Sequence, residues 1–508
     1  MGAPNVSFVI QSTNLGQTGA GGQANQIVVI GDSSGGTANQ PYQSPVPQNF
    51  VNQFGYGKGP QLAALIAAMS GKSVVFVKAT SPTAGSNTAV IGRLNTATGA
   101  GTTSSSAITL TGTPYDDYMG LITVLAGGTI GANGIQLGIS LDNGTTTVVT
   151  ANLLTASTYA IANTGLTLNF GAGTLVTGDQ FVWLSTAPLP NTTTTQAAIC
   201  SLIGKGIDIE DILVPWPACA SDVATLQTYV AASPLFNAKQ FCRCLTESRD
   251  VVQAGACAAA TGETESTWIA SLQAAFSATA ADHVGVGAGF YRVLSVLDGT
   301  WYRRNIIWPG GVRDASVPIS VDMGRTKDGP LAPLLDPNLT SSPEQFFSGG
   351  PNVVYHDEAV NPGLDASRFI TGQSIPGLPG LYVVNPNLMA PPGSVFNWLT
   401  HAHVCDKFCK ILYQFFALSL SDSVRVSAST GFILPADAAD LVARCQANIN
   451  AGLVYTGDVS AASVAIVLNN NILATNQLLV TGTIVPLAYF KSIVITVAFV
   501  NPATTQVP

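Results

Sequence analysis

Five stretches of this 508-residue chain hold residue types at spacings that could do chemistry. Gly31-Asp32-Ser33-Ser34-Gly35-Gly36 has the composition of a serine nucleophile turn, but it carries an extra serine. All four histidines (His283, His356, His401, His403) lie downstream of it, whereas a protease with such a turn places its histidine and aspartate ahead of the serine. The stretch reads as a Gly-rich turn after a strand. Gly71-Lys72-Ser73 is the tail of a phosphate-binding loop, yet Ile66 stands where the first glycine belongs and a helix precedes it, so it could not wrap a phosphate. Gly55-Tyr-Gly-Lys-Gly lacks the third glycine of a dinucleotide fingerprint and reads as a helix-start turn. His401, Cys405 and Cys409 share one helical face at i, i+4, i+8, with His403 and Asp406 nearby; they are open to a metal, or to packing against a neighbour with the thiols inside. Tyr355-His356-Asp357-Glu358 could supply a general acid/base pair, or simply a surface turn with hydrogen-bonding groups. No nucleophile or oxyanion site accompanies it, so no catalytic, cofactor-binding or metal residue is assigned.

The elements that would position these residues fall into several units. Residues 1–25 read as an extended N-terminal arm containing the strand-like run Asn5 to Gln11. Residues 26–103 open an α/β unit: the strand Gln26 to Gly31, the helix Gln61 to Met69, the strand Val74 to Lys78, then a Ser/Thr/Gly-rich linker from about 82 to 104. Residues 104–190 alternate with period two over Ala107 to Leu110, Leu121 to Leu125, Ile135 to Leu141, Thr147 to Leu153, Leu166 to Phe170 and Phe181 to Leu184. Asp142-Asn143-Gly144 and Thr177-Gly178-Asp179 punctuate these runs, predicting an inserted all-β sandwich or barrel. Residues 191–393 continue the α/β unit with helices at Asp222 to Ala232 and after Thr264, then a Gly/Pro-rich surface region from Trp308 to Gly393. Residues 394–492 predict a C-terminal α+β domain: one long helix Val395 to Leu420, a helix Ala436 to Ala451 opened by Pro435, and strands Ser463 to Leu468 and Gln477 to Val485. Residues 493–508 form a C-terminal arm with the strand-like run Ile493 to Val500.

Composition bounds the function. Lys+Arg 20 against Asp+Glu 28 gives a net charge of −8, only 9% of residues are charged, and 51 are glycine. Mean hydropathy is +0.33 and the pI is about 4.9. The polar surface is therefore mostly Thr, Ser, Asn and Gln, which suits packing against neighbours. Nucleic acid is excluded as a partner because phosphate neutralisation needs clustered cations and the longest basic run is Arg303-Arg304. No apolar stretch reaches the ~18 residues of a membrane span. The N-terminus has no secretory signal, so synthesis in a cytoplasm is expected. The eight cysteines are too sparse for a disulfide scaffold. Most are read as buried small hydrophobes, with a pairing of some between subunits after cell lysis left open.

From Trp308 onward the order of segments resembles the contractile tail sheath proteins of bacteriophages. The residues are Ala315-Ser-Val-Pro-Ile-Ser, Asp322-Met-Gly-Arg, Asp328-Gly-Pro-Leu, Tyr355-His-Asp-Glu-Ala-Val-Asn-Pro-Gly-Leu-Asp, Arg368-Phe-Ile-Thr, Gly380-Leu-Tyr-Val-Val-Asn-Pro-Asn-Leu-Met-Ala-Pro-Pro-Gly-Ser and the ending Pro486-Leu-Ala-Tyr-Phe-Lys-Ser-Ile-Val-Ile-Thr-Val-Ala-Phe-Val-Asn-Pro. The helix after Gly59-Pro60 and the inserted β-domain extend the resemblance over nearly the whole chain. It implies a non-enzymatic subunit with an α/β sheath core, an outward-facing inserted β-domain and a tube-facing C-terminal α+β domain. The subunit would stack in six-fold rings around a tail tube protein, capped by baseplate and tail terminator proteins, in a virion assembled in a bacterial host. Contraction would drive the tube through the envelope during genome ejection, without nucleotide or cofactor.

The termini support this reading independently. Val6, Phe8 and Ile10 at one end and Ile493, Ile495, Val497 and Phe499 at the other lie on strand-like segments suited to completing a neighbour's sheet. By analogy the helix Ala436 to Ala451 faces the tube, with Arg444 and Lys491 as candidate ions toward an acidic tube surface. Cys405, Cys409, Cys445, Cys242 and Cys244 are the candidates for inter-subunit disulfides. Alternatives are the sheath of a phage-tail-like bacteriocin or injection machine, a carbohydrate-binding surface adhesin suggested by the Thr/Asn/Gly-rich β-domain, and a hydrolase built on Tyr355-His-Asp-Glu.

Overall fold

Ile27–Gly31, Val74–Lys78, Asp211–Pro217 and Arg243–Glu247 are short, nearly continuous apolar runs, the pattern of strands covered on both faces. In a computed structural model, which describes residues 26–146, 149–251, 263–334, 344–345, 352–353, 355–391, 393–491 and 494, they form the centre of one sheet. Its order is Val284–Gly287, Arg243–Glu247, Asp211–Pro217, Ile27–Gly31, Val74–Lys78, Tyr42–Ser44, all parallel except the last strand. Val28, Ile30, Ile212 and Val214 point to one face and Ile27, Val29, Phe76 and Leu213 to the other.

Helices cover both faces. α1 (Pro47–Phe54) and α2 (Lys58–Ser70) lie on the second face; α3 (Thr192–Cys200), α4 (Ala220–Ala231) and α5 (Glu265–Phe276) lie on the first. Thr264 caps α5 as expected, accepting from the Thr267 N–H at 3.3 Å. α6 (Ile307–Ser316) packs beside α2, with Trp308, Val312 and Ala315 buried. The expected surface region from Trp308 to Gly393 is thus partly interior among its described residues: Leu364, Phe369, Ile370, Leu381, Val383 and Met389 are buried in the two cores.

Among the described residues, all six alternating runs of the inserted unit meet strands. Val149–Asn152, Gln136–Ser140, Met119–Ala126 and Asp179–Thr186 make one antiparallel sheet; Thr158–Ile161, Leu166–Phe170 and Ile108–Thr111 make a second. The stretch expected as a linker holds two further strands, Ser86–Asn87 and Ile91–Asn95, both paired with Asp179–Thr186. The inserted sheet therefore begins upstream of residue 104, because these polar edge strands have too little apolar alternation to stand out.

The C-terminal unit is α7 (Leu399–Leu418), starting four residues later than expected, α8 (Pro435–Ile449), and a hairpin of Val459–Ile466 with Val480–Pro486. α7 spans two cores: Leu399 and Ala402 join the sheet's second face, whereas Phe408 and Ile411 meet Cys445 and Ile449 of α8. The arm residues Val6, Phe8, Ile10, Ile493, Ile495, Val497 and Phe499 lie outside the described residues.

Candidate functional site

Few charges are present, and many of them are buried where the three units meet. His403, Asp406 and Lys410 recur at i, i+3, i+7 on one face of α7 and cross the N-terminal ends of the Asp211 and Arg243 strands, which are ladder partners. His403 Nε2 lies 2.9 Å from Asp211 Oδ1, and Arg243 Nη2 lies 3.0 Å from Asp406 Oδ1. Lys410 Nζ reaches Asp208 at 2.8 Å and donates to the Ile209 carbonyl at 2.7 Å. Burial opposes a charge on His403, yet Asp211 and Asp314 hold its pKa up at about 10. Burial and the neighbouring Asp211 charge push Asp314 well above the carboxylate range. Burial would also raise Asp211, but the His403 charge keeps it below its ordinary value. The cluster is an imidazolium, a carboxylate and a neutral carboxylic acid. Asp211 Oδ2 and Asp314 Oδ2 meet no N–H or O–H group, and a proton on Asp314 shared with Asp211 satisfies both. These three residues have donor types that suit a metal, but their protons and mutual bonds already balance the charge.

The His403 arrangement has a pH consequence. Its folded pKa lies above the ordinary 6.5, so its contribution to stability is complete below about pH 6.5 and is lost as pH rises toward 10. The thermal midpoint is expected to fall between pH 7 and 10, and to fall less steeply in His403→Gln. Equal slopes in a pH series of thermal melts would contradict the assignment.

A second network lies at the opposite, C-terminal end of the sheet, where open α/β sheets hold ligands. Here the crevice is filled by Asp116 and Asp117 of the inserted unit. Lys58 Nζ, at the start of α2, lies 3.0 Å from Glu247 and 3.3 Å from Asp117. Arg304 Nη2 lies 2.7 Å from Asp116 Oδ2 and donates to Gln61 Oε1 at 2.8 Å, and the guanidinium stacks over Trp308 at 4.4 Å. Trp308 Nε1 donates to Glu247 Oε1 at 2.7 Å. Burial pushes Asp116 up to about 6 despite Arg304. Because only the charged form is penalised, Asp116→Asn, which keeps an acceptor for Arg304, is expected to lower stability by less than about 1 kcal/mol at pH 7. Chemical denaturation checks this, and a loss above about 3 kcal/mol would show that the carboxylate is required.

The Tyr355-His-Asp-Glu stretch is a clamp and not a surface turn. His356 is buried, its Nδ1 3.0 Å from Glu265 of α5 and its Nε2 3.0 Å from Glu358. Glu358 Oε1 also accepts from the Gly363 N–H at 2.6 Å. Burial disfavours the imidazolium, but both carboxylates raise its pKa. With both ring nitrogens and Glu358 engaged, the arrangement pins this segment to α5.

The other motifs resolve as turns. In the Gly31 to Gly36 loop the carbonyls of Ser33 and Gly35 accept from Lys78 Nζ at 2.7 and 2.9 Å, so the loop binds a cation internally. Gly57 precedes α2 and Gly71 closes it at φ +67°, a left-handed end. His401 turns from the thiols to the Leu487 carbonyl at 3.3 Å and packs against Trp398 and Tyr489. Arg444 is exposed and pairs with Asp440 at 3.0 Å on α8. Lys491 is held within the protomer, 2.6 Å from Asp322 and over Trp398, so its charge is already committed. Cys242, Cys244 and Cys445 are buried, out of reach of a neighbour's thiol in the folded protomer; Cys405 and Cys409 are half-buried. Cys219, outside the candidate set, is disulfide-bonded. The two junction networks had no motif to mark them: their members are scattered from residue 58 to 410, and only the spacing of His403, Asp406 and Lys410 hinted at a shared face.

No protein-family model matches the chain, and no curated protein matches its sequence. In structure it is similar to the sheath tail protein of Desulfitobacterium hafniense, at 11% identity and a TM-score of 0.44 over 95% of this chain and 100% of that one. It is similar to a sheath tail protein of Listeria innocua at 10% identity and a TM-score of 0.42, covering 92% and 96%. It is also similar to a chain from the contracted sheath complex of an extracellular contractile injection system, at 11% identity and a TM-score of 0.38, covering 62% and 76%.

Proposed function

We propose that this chain is the structural subunit of a contractile sheath that polymerises around a tube through borrowed β-strands. The observation that carries the reading is the C-terminal hairpin, a two-stranded sheet at the surface whose outer residues Ser463, Thr481, Thr483 and Val485 are not covered by the protomer. Its inner face packs on α7 and α8, and the edges of a two-stranded sheet offer backbone groups to which further strands can add. The strand-like ends around Val6 to Ile10 and Ile493 to Phe499 are segments of the right character to be donated by neighbours. Buried ion networks at both junctions support rigid bodies that rearrange without coming apart. Committing charges internally also favours contact surfaces of uncharged polar residues, which avoids desolvating unpaired ions. In this reading six-fold rings stack around a tail tube protein, between baseplate and terminator proteins, and contraction drives the tube through an envelope. A phage tail, a bacteriocin and an injection machine would use the same subunit.

Electron microscopy of the purified chain is expected to show tubes or six-fold rings. Deleting residues 1–12 or 493–508 is expected to abolish them while leaving the protomer's circular dichroism and melting unchanged. Normal tubes from both truncations would refute strand exchange, and monodisperse globules from the intact chain would refute the sheath.

A further inference from the structure

We infer that Asn133 is a site of spontaneous deamidation, with water as the co-reactant, and that the product is the first exposed charge on the inserted unit. Asparagine is a chemically labile residue, and most so before glycine, where no Cβ shields the backbone nitrogen that attacks the side chain. The chain holds two Asn-Gly pairs, Asn133-Gly134 and Asn143-Gly144, both in the inserted unit. The reacting groups are the same in each, so the fold separates them.

Asn143-Gly144 is held shut. The Gly144 N–H donates to Ser140 Oγ at 2.8 Å, and Ser140 Oγ donates to Asp142 Oδ1 at 2.7 Å. Asn143 Oδ1 accepts from Arg93 Nη1 at 3.1 Å, and its own N–H donates to the Met119 carbonyl at 2.8 Å. The bonds to Ser140 and Arg93 must break before the Gly144 nitrogen can reach Asn143 Cγ. Asn133-Gly134 lies in the turn between the Gly128–Thr129 and Gln136–Ser140 strands, and both residues are exposed. Neither the Asn133 side chain nor the Gly134 N–H has a hydrogen-bond partner among the described residues. A Cβ on Gly134 would meet nothing within 4 Å beyond its chain neighbours. No bond has to open before the Gly134 nitrogen, having lost its proton, bonds to Asn133 Cγ. Ammonia leaves as the Cγ–Nδ2 bond breaks, a succinimide ring remains, and water opens it to aspartate or isoaspartate. One neutral amide and one water become one carboxylate and one ammonium ion.

The new carboxylate has no equal on the surface around it. Between residues 84 and 190 the charged side chains are Arg93, Asp116, Asp117, Asp142 and Asp179, and none is exposed. Asp116 and Asp117 meet Arg304 and Lys58, Asp142 accepts from Ser140 and Thr146, and Asp179 accepts from Ser104 and Asn95. An aged subunit therefore differs from a new one in showing an ion where this unit otherwise shows hydroxyls, amides and apolar groups.

Peptide mapping by mass spectrometry, on the full-length protein incubated at mildly alkaline pH, reads the two sites separately, each against itself in the urea-unfolded chain. Folding is expected to leave the rate at Asn133 nearly unchanged and to slow Asn143 by about tenfold or more, the equivalent of a hydrogen bond that must first open. Ser140→Ala is expected to speed conversion at Asn143 and leave Asn133 as it was. Asn133→Gln is expected to abolish the early acidic shift of the intact protein on ion exchange. Folding that protects Asn133 as strongly as Asn143, or an early acidic shift that persists in Asn133→Gln, would overturn the assignment.

Discussion

His403→Ala is expected to lower stability by about 3–5 kcal/mol, the cost of removing one partner from a buried ion pair. The imidazolium is the cation that lets Asp211 stay charged beside Asp314; without it, two carboxyls face each other in the interior. Because α7 is seated on the sheet through this cluster, the transition that reports docking of the C-terminal unit should shift first. A chain of several units does not melt in two states, so the measurement is denaturation followed by a probe on each unit. Arg444→Ala, which removes an exposed pair with Asp440, provides the contrast at no more than about 0.5 kcal/mol. Similar losses in the two variants would mean that the buried acids are neutral in the folded protein.

The second large effect is expected at Arg304. Alanine there removes the bond to Asp116, the bond to Gln61 and the stack on Trp308, leaving Asp116, Asp117 and Glu247 to share Lys58. About 3–5 kcal/mol should be lost, read as earlier unfolding of the inserted β-domain and faster proteolysis at its junction. Asp116→Asn in the same chain should recover part of it. Asp116 already titrates at about 6 beside Arg304, and without that cation it would hold its proton to higher pH, so the deficit of the single variant should shrink as pH falls. A deficit that grows on acidification, or a double variant no better than the single, would show that the arginine acts through packing alone.

Together the two sites attach the inserted β-domain and the C-terminal unit to opposite ends of one mostly parallel sheet. The crevice at its C-terminal end is filled by the protein's own acids, Asp116 and Asp117.

The period-two strands between residues 107 and 184, the Thr264 cap and the helix opened by Pro435 were legible because each is written in neighbouring residues: period-two alternation, a cap three residues from its partner, a proline at a first turn. α6 was not legible. Ile307-Trp-Pro-Gly-Gly-Val has the composition of a loop, and it becomes a buried helix because its glycines let it close on the sheet; a Cβ on Gly311 would lie 2.4 Å from Leu213 Cδ2. The edge strands at Ser86–Asn87 and Ile91–Asn95 escaped for the related reason that pairing with Asp179–Thr186, not their own pattern, makes them strands. Charge showed the same division. Scarcity of ions was plain from composition, but that His403 meets Asp211, or Arg304 meets Asp116, depends on residues separated by about 190 positions. Local order lies in adjacent side chains and can be read from them; protonation state and burial are set by distant neighbours, and those are chosen only when the chain closes on itself.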